Sequence, residues 1–121
     1  MKICPRVENK YNLDFKDLKK LKLKDRTLIR EPLFWRNENN DLWCYSKPIA
    51  NGETEFWIRI KDNGKVAIHC AADQNLYEYK FTKFFKLSEM NSIYELMLQE
   101  ELLATINAFI EEGVFEIPTT E

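Results

Sequence analysis

EFWIRIKDNGKVAIHCAADQNLYEYKFTKF, residues 55–84, is the stretch whose period decides the fold. Phe56, Ile58 and Ile60 fall on one side of an extended chain and Trp57, Arg59 and Lys61 on the other, because successive strand side chains point to opposite faces. Val66, Ile68 and Cys70 alternate in the same way with Ala67, His69 and Ala71. Between the two runs stands Asp62-Asn63-Gly64, residues that tolerate the positive φ of a tight hairpin. A second turn at Asp73-Gln74-Asn75 leads into a run from Leu76 to Phe85 in which Tyr77, Tyr79 and Phe81 share a face. Three antiparallel strands are therefore expected, with one apolar face and one mixed face.

Working outward toward the N-terminus, Leu33–Arg36 and Leu42–Ser46 are aromatic and apolar runs separated by the polar loop 37–41, which reads as another hairpin. Pro48 and Asn51-Gly52 are expected to close the second run. Thr27–Ile29 reads as a strand start bent at Glu31-Pro32, and Ile3–Val7 as an edge strand interrupted by Pro5. Asp14 is a candidate N-cap, with Phe15, Leu18 and Leu21 at helical spacing and a lysine-rich outer side over Phe15–Lys24.

Beyond Lys86 the period changes from two to 3.6. Ser92 and Glu95 fit a capping box, Gly113 fits a helix stop, and the segment from Ile93 to Glu112 is a long helix. Its core arc is Leu98, Leu102, Leu103, Ile106, Phe109 and Ile110, and its other side is acidic. The expected fold is α+β in one domain, residues 1–121. About five meandering antiparallel strands, a short N-terminal helix and a long C-terminal helix across one face make it up. The alternative is a small bent-sheet barrel capped by that helix.

Composition limits the functional classes. The chain has 121 residues, 45% of them hydrophobic, with 3 Gly and 4 Pro, which is the profile of an ordered domain. No apolar run reaches the roughly 20 residues of a membrane span, and no secretory leader is evident at Met1, so a cytoplasmic protein without a membrane partner is expected. Cys4, Cys44 and Cys70 fit neither a disulfide framework nor a paired metal motif; with one histidine, no metal or other cofactor is expected. His69 and Cys70 leave opposite faces of their strand and cannot act on each other. No nucleophile, phosphate-loop or calcium-loop motif is present, which argues against an enzyme.

The net charge of −2 hides a separation. Residues 1–26 hold nine Lys or Arg against four Asp or Glu, and residues 87–121 hold eight Glu and no basic residue. Two binding readings follow. In the first, Tyr94, Met97, Glu101, Ala104, Ala108 and Glu112 form one exposed helix face that meets a basic protein surface, or a second copy, in a non-catalytic binding module of the inhibitor, immunity or assembly-subunit kind. In the second, Trp57, Arg59, Lys61 and Lys80 bind single-stranded nucleic acid. The sequence ranks the protein partner first, since eight glutamates repel phosphates unless they are turned away. It also leaves open that the lysine-rich N-terminal helix covers the acidic face from within.

Overall fold

A computed structural model describes residues 5–72, 75–90 and 92–117. Its elements in chain order are α1 (Phe15–Lys19), β1 (Lys22–Leu23), β2 (Trp35–Asn37), β3 (Leu42–Ile49), β4 (Thr54–Lys61), β5 (Val66–Ala72), β6 (Asn75–Glu78), α2 (Ile93–Glu111) and β7 (Phe115–Glu116). Five strands form an antiparallel meander in the order β2-β3-β4-β5-β6, and β1 pairs with β7 in a second, two-stranded sheet. Among the described residues the large sheet is open, with β2 and β6 as its end strands, so the expected α+β sheet is present rather than the barrel.

The period-two reading fixes the register. Ile58 stands opposite Ile68 and Tyr45 on its two neighbours, and Phe56, Ile58, Ile60, Val66, Ile68 and Cys70 are all buried on one face. Against that face lies α2, whose Leu98, Leu102, Leu103, Ile106 and Phe109 are buried while Ile110 is half-buried at the margin. A ring cluster links the layers: Phe109 lies 5.4 Å from Phe34, 5.3 Å from Tyr45 and 5.5 Å from Phe115. Buried aromatic area of this kind is the largest single contribution to such a core.

The caps behave as their chemistry demands. Asp14 accepts from the Lys16 and Asp17 amides, and Asp17 returns the bond to the Asp14 amide. Ser92 accepts from the Glu95 amide, but the Glu95 carboxylate turns to Tyr79 and Gln99 instead of closing the box. Gly113, at φ +81°, reverses the chain after α2, and the Val114 amide bonds back to Phe109 O.

Several boundaries differ from the sequence reading. The N-terminal helix stops at Lys19, and Lys22–Leu23 is drawn into β1 by β7, a long-range pairing that a helical period at Phe15, Leu18 and Leu21 conceals. Residues Arg26–Leu28 form a 3-10 turn capped by Asp25 rather than a strand. β3 continues through Pro48, whose nitrogen faces an open edge. β6 ends at Glu78, although Tyr79 and Phe81 still reach the core. Residues 5–7 are not in a strand, while Ile3, Cys4, Asp73 and Gln74 lie outside the described residues.

Candidate functional site

The apolar core cluster, to which α1 and α2 contribute, lies on one face of the large sheet; the alternate residues of its strands form an outer face. The side chains of that outer face can be laid out row by row from the register. Lys61 on β4 stands opposite Leu42 on β3, its amide bonds to Lys65 O at 2.9 Å, and Lys65 is bridged in turn to Lys22 of β1. In the next row Ala67, Arg59, Cys44 and Trp35 are successive partners across four strands. Lys80 lies toward Ala67 from the far edge, one residue past Tyr79, whose amide bonds to Ile68 O at 3.2 Å. A third row runs Glu78, His69, Trp57, Ser46, and a fourth Leu76, Ala71, Glu55, Pro48.

Two indoles lie on this surface, Trp35 from the end strand β2 and Trp57 from the central strand β4. Trp35 and Trp57 meet edge to face at 5.2 Å, and the Trp57 indole N–H donates to Glu55 Oε1 at 2.7 Å. Both rings are half-buried by each other and by neighbouring side chains. Beneath them Cys44 is fully buried, and burial pushes its thiol up despite the adjacent Arg59 guanidinium. Cys70, on the core face, is pushed up to about 12 by burial. Neither thiol is a ready nucleophile, since the thiolate is the reactive form. His69 sits among Trp57, Arg59 and Glu78 with its Nδ1 enclosed and unpartnered; burial first, and Arg59 second, push its pKa down.

The charges on this surface are unevenly shared. Lys22, Lys61, Lys65, Lys80 and Arg59 make no ion pair among the described residues, although Lys22 has Glu116 of β7 as its direct cross-strand partner; Glu55 accepts the Trp57 indole N–H and Glu78 flanks His69. The hairpin residue Asp62 is turned away to Arg36 at 3.1 Å. Like charges side by side on neighbouring strands destabilise a sheet, so Lys22, Lys65 and Lys61 in adjacent positions are a local cost.

The acidic helix is the opposite case. Arg6 donates its amide to the Glu100 carboxylate at 2.8 Å and its guanidinium approaches at 3.6 Å, so Glu100 is 7% exposed rather than part of an acidic surface. Lys10 pairs with Glu111, and Asn107 Nδ2 donates to Glu8 O at 2.8 Å. Glu101 is held by Lys47 of β3 at 2.6 Å. Residues 6–10, not the lysine-rich α1, thus neutralise one flank of α2. Lysines 16–24 are left outside these pairs.

The sequence-selected helix residues separate accordingly. Glu101, Ala104, Ala108 and Glu112 line one groove of about 340 Å³ together with Leu33 and Tyr45. Met97 and Glu101 border a neighbouring hollow of about 460 Å³ lined also by Arg6 and Lys47. Tyr94 is 49% exposed near the start of α2 and lines neither. By contrast, Trp57, Arg59, Lys61 and Lys80 do come to one face. Trp35, Lys65 and Lys22 join them. Alternation back from His69 through Ala67 would have found Lys65; Lys22 needed the β1–β7 pairing. Comparison with protein-family profiles, curated protein sequences and solved structures finds no match to this chain.

Proposed function

We propose that this protein is a non-catalytic binding protein that takes single-stranded nucleic acid across the outer face of its sheet. What supports the reading is the set of five cations, Lys22, Lys61, Lys65, Lys80 and Arg59, brought to the same face as the Trp35–Trp57 pair and making no ion pair among the described residues. Sheets retain mutually repelling lysines where a partner supplies the missing anion, and local rules are broken most often at working surfaces. Phosphates meet the lysine rows. A base packs on the indole pair, an arrangement that tolerates any sequence because every base has a π face. The glutamates of α2 do not oppose this, since they lie against the core side of the sheet and three of them are paired with Arg6, Lys47 and Lys10.

Fluorescence anisotropy with a labelled single-stranded oligonucleotide tests the reading. Affinity should fall with salt at a slope of roughly −3, the value for about four phosphate contacts on a single strand. Trp57→Ala should remove roughly 1 to 3 kcal/mol of binding, and Lys61→Glu with Lys65→Glu should abolish it at moderate salt. No binding at low salt, or binding indifferent to these changes, would refute the reading.

A further inference from the structure

A second surface lies on the other side of the molecule, where β2 ends before the sheet does. β3 runs from Leu42 to Ile49, but β2 pairs only with Leu42, Trp43 and Cys44. From Tyr45 to Ile49 no strand pairs with that edge of β3 among the described residues, a length of roughly 17 Å. β4 pairs with β3 throughout, so Pro48, having no N–H, turns its nitrogen away from β4 and toward this edge. Alternate residues of a strand share that direction. Ser46 therefore presents both its N–H and its C=O outward, and Pro48 presents a C=O.

A groove of about 340 Å³ is lined by Tyr45 and Lys47 of this unpaired stretch and by α2. The small side chains of Ala104 and Ala108 of α2 line it, together with Leu33, which is 51% exposed. Its two carboxylates are not equivalent: Glu101 is held by Lys47, whereas Glu112 makes no ion pair among the described residues. We propose that this edge and groove take an extended peptide segment of a partner protein, added to β3 as a further strand. The backbone of the segment pairs with Ser46. One apolar side chain enters the groove over Ala104 and Ala108, and a lysine or arginine of the segment meets Glu112. Strand addition of this kind draws affinity from main-chain hydrogen bonds and specificity from alternate side chains. The single proline on the edge restricts the pairing to a short segment and guards against indiscriminate self-pairing.

A random heptapeptide library displayed on phage is the probe, selected on the intact protein. Peptides recovered should alternate apolar and polar residues and carry one lysine or arginine. Ser46→Pro removes the only outward N–H without touching the β4 ladder, and Ala108→Phe fills the groove. Each should weaken a selected peptide about tenfold or more, the effect of a lost hydrogen bond or a blocked pocket, and Glu112→Lys should weaken it less and in a salt-dependent way. If Ser46→Pro fails to fold, Ala108→Phe decides. Failure to recover any peptide, or recovery of peptides indifferent to both changes, would overturn the proposal. So would a concentration-dependent dimer that the same changes abolish in the absence of any peptide binder, because a second copy would then be the occupant.

Discussion

β4 carries two surfaces on alternate residues, and they behave as different materials. Phe56, Ile58 and Ile60 are fully or almost fully buried against α2, while Trp57 and Arg59 between them are half-buried and Lys61 is exposed on the opposite face. The first set packs into the apolar core: its cross-strand partners are Trp43, Tyr45, Val66, Ile68 and Cys70, with Lys47 opposite Phe56. The second set mixes indoles, cations and a histidine whose Nδ1 has no partner. One strand thus joins a face whose interactions are complete to a face whose interactions are not, and the incomplete face is where a partner gains most by binding.

The largest expected effects separate the two faces by stability. Ile58→Ala and Ile68→Ala should each cost about 2 to 4 kcal/mol in chemical denaturation, because each leaves a cavity between paired strands and α2. Arg59→Ala, on the next residue, should cost well under about 1 kcal/mol. Equal losses at Ile58 and Arg59 would mean that the outer face is packed as tightly as the core.

A smaller effect is expected where a polar group has been taken into the core face. Gln99 is fully buried, and its Oε1 accepts the Phe85 amide at 2.6 Å while Nε2 reaches Glu95. Phe85 has φ +65°, a conformation that a phenylalanine holds only with support. Gln99→Leu keeps the volume and strands the Phe85 amide, so a loss of about 1 to 3 kcal/mol is expected from thermal or denaturant unfolding. A neutral result would show that the loop before α2 does not depend on this bond.

The smallest effect concerns His69 on the outer face. Folding holds it below its ordinary value of 6.5, first by burial and then by Arg59, with Glu78 opposing. The unfolded chain therefore takes up this proton first as pH falls. The contribution of His69 is complete above that ordinary value and is lost as pH drops through the folded-state value. His69→Gln should flatten the decline in melting temperature between about pH 7 and about pH 5, where an isolated histidine is the natural switch. An unchanged profile would assign the decline to carboxylates.

Much of this was legible in the chain. Strict alternation over Phe56–Ile60 and Val66–Cys70, with Asp62-Asn63-Gly64 between, was enough to place the central hairpin and its register. The arc Leu98, Leu102, Leu103, Ile106, Phe109 specified which side of α2 would be buried. What local pattern could not reveal was pairing between distant segments: β1 with β7, and residues 6–10 with Glu100, Asn107 and Glu111. Those contacts decide which charges remain free. The acidic helix stands out in a sequence because its glutamates cluster, yet three of them are matched by cations from elsewhere in the chain. The basic surface is less conspicuous, because Lys22, Lys61, Lys65 and Lys80 are scattered over 59 positions and meet only when the strands pair.

The most direct test of the outer face as the working surface is an NMR titration of the intact protein with an oligothymidylate of about ten nucleotides at low salt. The indole N–H signals of Trp35 and Trp57 and the amides of Arg59, Lys61, Lys65, His69 and Lys80 should shift together and saturate, while those of Glu101, Ala104, Ala108 and Glu112 stay in place. Shifts confined to the α2 groove, or no shifts at all, would contradict it.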